Sequence, residues 1–422
     1  MDTKREAANH PCFNENARHS YGRIHLPVAR SCNMQCKYCN RKHDCINESR
    51  PGVTSAVLSP AQALAYLKEM KEKIPRLAVA GIAGPGDPFA EPELTMDTIR
   101  RVNGSFPGML LCIATNGFNI LPFIRELSEY NVSHVTITVN AADPAIGGEI
   151  YSWVRDGKRI LHGREGAGEL IERQLRAIGE LKQKGIRVKI NTIIIPGIND
   201  SHIPAVAKSV SLAGADVLNC IPLYPAAGAE FSGITPPSKE CISRILQEAR
   251  RYMPLMTHCT RCRADAAGLL GSHLSDEHIR CLKKNAMLPL DPVEHRPFVA
   301  VASREGVLVN RHLGEAEELW IFKENNGNSE LVEKRKTPAP GGGVERWAEL
   351  SAILKDCRVL LASGAGRSPI GVMEKHGIKV MLMEGLIDEG LRVVFRGGSF
   401  EKLQVPWKGC HTSCSGTGRG CG

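Results

Sequence analysis

Between residues 23 and 223 the chain alternates short apolar segments with longer amphipathic ones. The apolar segments are 23–29, 76–84, 109–116, 134–140, 187–195 and 217–223. Between them, 60–73, 93–102, 123–130, 167–184 and 203–213 space their apolar residues three and four apart, as a helix with one buried face does. This alternation leaves few options. Each strand lies parallel to the next, and the intervening helix makes the crossover. Six such units fit an open barrel. The expected fold class is therefore α/β, with a partial (β/α)6 barrel inside residues 23–286. Its functional loops should sit at the carboxyl ends of the strands.

A second, smaller α/β pattern follows. Residues 287–297 carry three prolines and read as a linker. After it come strand segments 298–302, 319–322, 358–362 and 379–383, with helical segments 346–355 and 370–376. The second domain is expected over 298–396. Residues 1–22 precede the barrel, and 397–422 form a Gly- and Cys-rich tail that cannot build a core.

No stretch of the 422 residues approaches the ~20 apolar residues of a membrane span, and 1–16 lack the apolar centre of a secretory signal. A cytoplasmic protein without membrane contact is expected. The net charge of +9 comes from 54 basic and 45 acidic residues that are scattered, and aromatics are only 5%. That pattern lacks the basic and aromatic face of a nucleic-acid reader, so no nucleic-acid partner is expected.

Fifteen cysteines then need a reason. A long chain without a secretory signal argues against a disulfide scaffold and favours metal. Cys32, Cys36 and Cys39 form a CxxxCxxC loop directly after the first strand segment. Three thiolates at this spacing can hold three irons of a cubane and leave the fourth iron open. Zinc would want a fourth nearby Cys or His, which this spacing does not offer. A structural cluster or zinc knuckle is the plainer alternative. Cys112 has the parity of Ala114 and Asn116 on its strand, so the three share a face. Cys12, Cys45, Cys259 and Cys262 stand near turns or short motifs. Cys220, Cys241, Cys281 and Cys357 read as packing residues. In all, eight cysteines and one histidine make nine ligands, enough for three clusters with three ligands each.

The CxxxCxxC loop, with Tyr38 before its last cysteine, resembles the radical S-adenosylmethionine superfamily. That resemblance implies S-adenosylmethionine contacts at Tyr38, at Gly84, Gly86 and Asp87 after the second strand, at Thr115 and Asn116, at Thr138 and Asn140, and at Asn191. Thr136 and Lys189 lie on the same strand faces as some of these. Polar side chains on an inner face must bind water, substrate or one another, so a purely structural network stays open for each.

His10-Pro11-Cys12, the CxxxCxxC loop, the 44–51 segment, the 83–88 loop and the 259–270 segment together resemble the NifB family of nitrogenase cofactor maturases. The resemblance covers about residues 10–271. It implies that two 4Fe–4S clusters are fused into an eight-iron core around a carbide taken from the methyl group of S-adenosylmethionine. Three 4Fe–4S clusters are implied. Cys32, Cys36 and Cys39 would hold the radical cluster. Cys45, Cys112 and a histidine would hold one precursor, and Cys12, Cys259 and Cys262 the other. His10 is preferred as that histidine over His19 and His25. Glu48 would handle protons during carbide formation and Arg50 would balance cluster charge, with a plain ion pair between them standing as an equal alternative.

Residues 298–396 resemble the NifX-type cofactor-binding domain, which implies a small α/β ribonuclease H-like fold. His312 is the candidate contact there, with a capping role open. Cys410, His411, Cys414 and Cys421 in the tail could bind or relay iron or be incidental. Expected partners are an iron–sulfur cluster donor, carrier or scaffold proteins of nitrogenase assembly, and a reductant protein. Two other functions remain open: a radical enzyme with auxiliary clusters acting on a peptide or small molecule, and a non-catalytic cluster scaffold.

Overall fold

The computed structural model describes residues 10–45, 47, 53–74, 76–259, 262–271, 275–290, 296–325, 328–396, 400 and 403–405. The chain forms two compact units, Met1–Ser275 and Asp276–Gly422.

Ten strands belong to the first unit: β1 (Gly22–His25), β2 (Met34–Cys36), β3 (Leu77–Ile82), β4 (Leu110–Thr115), β5 (Val132–Thr138), β6 (Tyr151–Asp156), β7 (Arg159–Leu161), β8 (Arg187–Ile194), β9 (Val217–Pro222) and β10 (Ala267–Gly268). The main sheet runs β10-β1-β3-β4-β5-β8-β9. β1, β3, β4, β5, β8 and β9 are parallel, as the alternation demands. β10 closes one edge antiparallel to β1, pairing Gly268 with Arg23. β5 and β8 are buried almost end to end, which is the mark of a parallel sheet covered on both faces.

The helices form where the sequence calls for them. Pro60–Lys73 starts on a capping box, with Ser59 and Gln62 satisfying each other's backbone. Pro92–Ser105, Gly163–Gln183 and Ile203–Leu212 follow at the expected places. A small sheet of β2, β6 and β7 was not foreseen. It anchors the CxxxCxxC loop, because β2 carries Cys36 and pairs with β6.

The second unit holds β11 (Phe298–Val301), β12 (Leu308–Val309), β13 (Glu318–Asn325), β14 (Asn328–Lys336), β15 (Cys357–Ala362), β16 (Lys379–Leu382) and β17 (Gly385–Leu386). Its main sheet is ordered β14-β13-β11-β15-β16, with β13 antiparallel to both neighbours. This is the mixed five-stranded sheet of a ribonuclease H-like fold. Val299, Val301, Val359 and Leu361 bury one face, and Ala300, Leu360, Trp347 and Leu350 the other.

The boundary differs from the expected one. The helix Asp276–Asn285, read above as the end of the barrel domain, belongs to the second unit. Met287 and Arg296, placed above in a linker, are buried there as well. Met287 joins the core of β11, β15 and β16, and Lys379 donates to the Ala286 carbonyl at 3.0 Å. Buried Met287, the buried Arg296 and the Lys379 hydrogen bond outweigh the proline signal that marked the linker.

Candidate active site

The carboxyl ends of β1 and β3 bring two loops against each other. Gly86 N donates to the Ala29 carbonyl at 2.5 Å and Asp87 N to the Ser31 carbonyl at 2.7 Å. A Cβ on Gly86 would lie 2.0 Å from the Ser31 oxygen. Glycine is therefore required where the 84–88 loop clamps the cysteine loop. Gln35 Nε2 donates to the carbonyls of Cys36 and Cys39 at 2.9 and 2.7 Å. Cys32, Cys36, Cys39 and Cys45 line one pocket with Arg41, Asn47, Gly86, Asp87, Thr115, Asn116 and Thr138. Burial pushes the Cys32 thiol up to about 12, and the Cys36 and Cys39 thiols up as well. Thiols held neutral by desolvation lose their protons when iron takes the thiolate, so the donor set suits a metal cluster.

Asp87 is the hub of this pocket. Thr115 Oγ1 donates to it at 3.0 Å, Asn116 N at 2.6 Å and Phe89 N at 2.9 Å. Burial raises its carboxyl, and these donors oppose the rise. Asn116 Nδ2 reaches Asn33 Oδ1 at 2.6 Å and Cys32 Sγ at 3.9 Å. Tyr38 and Asn140 serve the frame. Tyr38 OH donates to Asn47 Oδ1 at 2.6 Å, and Asn140 Nδ2 donates to Tyr38 OH at 2.7 Å. Asn140 Oδ1 accepts from Ile193 N at 2.8 Å. Asn191 Nδ2 donates to the Asn47 carbonyl at 2.9 Å and its Oδ1 accepts from Asn219 at 3.0 Å.

A second cavity lies inside the barrel. His10, Cys12, Cys112, Cys259 and Cys262 line it, together with Arg23, His25, Thr136, Lys189 and Asn191. Asn47 and Ala114 line both cavities, so the two are neighbours. His10 is 1% exposed; its Nδ1 accepts from Cys12 N at 3.1 Å, and its Nε2 has no partner among the described residues. His10 packs against His134 with ring centroids 4.2 Å apart. Burial drives the pKa of His10 well down, helped by His134 and Lys189. With Nδ1 accepting from Cys12 N, the neutral ring carries its proton on Nε2, so this buried nitrogen can ligate a metal only once that proton has left. Burial also lifts the Cys12 thiol to about 11.

Sequence reasoning placed Cys12, Cys259 and Cys262 together, and they do share this cavity. It paired Cys45 with Cys112, yet Cys45 lines the cysteine-loop pocket while Cys112 lines the barrel cavity. The cause is Cys45 N, which donates to the Pro85 carbonyl at 2.9 Å and holds Cys45 beside the 84–88 loop. Of the other candidate histidines, His25 lines the cavity, and His19 is exposed and accepts from Arg18 Nε at 2.9 Å. Glu48, Arg50, Cys410, His411, Cys414 and Cys421 lie outside the described residues. In the second unit His312 caps a short helical turn, with its Nδ1 accepting from Gly314 N at 3.1 Å.

Arg23, Asn33, Asn47 and His134 carried no role in the sequence reading. Asn47 is the most informative omission, since it sits within the quoted 44–51 segment. Asn140, Asn191 and Asn219 lie on or just after three neighbouring strands, and that coincidence was the available signal.

Known proteins resemble this chain along most of its length. A family model described as the radical SAM superfamily matches residues 26–210. One described as dinitrogenase iron-molybdenum cofactor matches 296–397. The chain is 51% identical over 417 residues to a FeMo cofactor biosynthesis protein NifB of Chlorobaculum tepidum, covering 98% of both chains. It is 36% identical to the NifB protein of Klebsiella pneumoniae, covering 89% of this chain and 87% of that one. For the NifB protein of Azotobacter vinelandii the identity is 34%, over 92% of this chain and 88% of the other.

Proposed function

Because the chain belongs to the NifB family of FeMo cofactor biosynthesis proteins, we propose that this radical S-adenosylmethionine enzyme fuses two 4Fe–4S substrate clusters around a carbide. The carbide carbon comes from the methyl group of S-adenosylmethionine, and with one further sulfur the product is an eight-iron, nine-sulfur core. The observation that carries this reading is the pair of adjoining cavities, both lined by cysteines and both bordered by Asn47 and Ala114. A radical made in the first cavity has a short path to a cluster held in the second.

Cys32, Cys36 and Cys39 would hold the resident cluster, with Gln35 fixing the loop and Asn116 steadying Cys32. Bound there, a cluster with one open iron and S-adenosylmethionine supply one-electron reductive cleavage of a carbon–sulfur bond. Gly84, Gly86, Asp87, Thr115 and Thr138 would shape the cofactor's seat. Asn140 and Tyr38 would act one step back, since each is engaged in holding Asn47 or the strand ends.

Cys12, Cys112, Cys259, Cys262 and His10 would hold the substrate clusters. Cys45 would complete the set from the cysteine-loop side, and Glu48 and Arg50, three and five positions further along the sequence, would manage protons and charge. Three 4Fe–4S clusters in total follow from this set. The work belongs in the reducing cytoplasm, where thiols stay available to iron; among the described residues no helix is long and apolar enough to cross a membrane. A cluster donor, a reductant protein and carrier or scaffold proteins of nitrogenase assembly would be its partners.

A double substitution tests the reading. Cys259→Ala with Cys262→Ala should retain part of the S-adenosylmethionine cleavage and lose the eight-iron product, as followed by iron counting and electron paramagnetic resonance. Normal product from that variant would remove both residues from the ligand set. Cleavage without any cluster product in the parent protein would favour a radical enzyme acting on another substrate.

A further inference from the structure

Arg23 is 3% exposed and lines the barrel cavity. It stands on β1, opposite Gly268 of β10. Its Nη1 donates to the carbonyls of Gly268 and Leu269 at 2.6 and 2.8 Å. Its Nη2 donates to Cys262 Sγ at 3.0 Å. Its Nε has no partner among the described residues. A buried guanidinium thus spends one arm on the backbone that follows Cys262, one on the thiol itself, and leaves a third donor without a partner among the described residues, in a cavity wall that also carries Lys189, His25 and four cysteines.

Donor, thiol and backbone form one fork, because a planar guanidinium fixes all its N–H directions at once. Lysine could supply the charge but not this geometry. An unsatisfied buried donor is costly, and an anionic cluster would satisfy it. Hydrogen bonds to a ligand sulfur draw charge from it and raise the potential of the cluster it binds, and such partners fix ligand orientation.

We propose that Arg23 is the positioning residue of the Cys259–Cys262 half of the barrel cavity. It sets the direction of the Cys262 sulfur and raises the reduction potential of the cluster held there. The proposal rests on the function proposed above, since it takes Cys262 as a cluster ligand.

The test uses the full-length chain, reconstituted anaerobically, with Cys32, Cys36 and Cys39 replaced by Ala so that only substrate clusters are seen. In this background Cys262→Ser identifies the paramagnetic signal that depends on Cys262. Arg23→Lys and Arg23→Met are then compared by redox titration of that signal and by its rate of loss to a chelator. Both variants should shift the signal to a lower potential and speed its loss, roughly 10- to 100-fold for Arg23→Met, the usual effect of removing such a partner. Arg23→Lys should restore part of the retention but not the potential. An unchanged potential in a folded variant, checked by circular dichroism, overturns the proposal while leaving the ligand set intact. If Arg23→Met does not fold, Arg23→Lys alone decides. If no signal depends on Cys262, the ligand set itself fails, and the role of Arg23 fails with it.

Discussion

His25 shows what burial does to a single side chain. Its Nδ1 lies 2.9 Å from the Arg263 carbonyl, and its ring lines the barrel cavity. Desolvation, with Arg23 nearby, lowers its pKa from 6.5 to about 4. The folded chain therefore resists a proton that the unfolded chain accepts readily. The stabilising contribution is complete above the unfolded value and is lost as the pH falls from 6.5 towards about 4. The loss is about 3 kcal/mol for this one group. The urea midpoint of the metal-free protein should fall over that interval, and His25→Leu should make the profile shallower by one titrating group. An unchanged profile in the variant would show that other groups carry the acid sensitivity. At this scale the sequence was informative where chemistry demands a residue type, as in Cys32, Cys36 and Cys39. It was silent on Arg23, because an arginine in a strand reads as surface until its two carbonyl partners, more than 240 positions away, are known.

Among the elements, the 84–88 loop shows how one backbone position governs the site it lines. Gly86 lets the loop lie against Ala29 and Ser31, and through them sets the path of the cysteine loop. Gly86→Ala would place a methyl 2.0 Å from the Ser31 oxygen, against backbone that has no freedom to retreat. The variant should lose at least ~3 kcal/mol of stability and most of its radical-cluster iron. Unfolding midpoints and iron per chain measure both, and wild-type iron content would mean the loops are not coupled. The six parallel strands were legible because their apolar runs and intervening helices are long and regular. β2 and β10 were not, since elements of three and two residues carry no period. β14 was missed for another reason: its Asn-Ser-Glu-Leu-Val-Glu-Lys-Arg-Lys run is exposed almost throughout and shows no apolar alternation.

For the whole molecule, the two units have separate cores, and the described candidate ligands for all three clusters lie in Met1–Ser275. A chain ending at Ser275 should fold, bind the same iron per molecule and cleave S-adenosylmethionine. It should retain its product less well on gel filtration, given the match of residues 296–397 to a cofactor-domain family. A cut inside Asp276–Asn285 or after it would leave that helix without the core around Met287 that it belongs to. Loss of one cluster's iron on truncation at Ser275 would place ligands in the second unit. The division into two α/β domains was legible from composition and period. The place of the break was not, because proline content marks where a chain cannot continue a helix, whereas packing decides which core the helix joins.

The central claim is that the methyl carbon of S-adenosylmethionine ends inside a fused cluster. The direct measurement supplies the reconstituted full-length protein with methyl-labelled S-adenosylmethionine and a reductant, then extracts the cluster and counts label against iron. One labelled carbon per eight irons is the predicted result. Cleavage of S-adenosylmethionine with no label in the cluster fraction would contradict it.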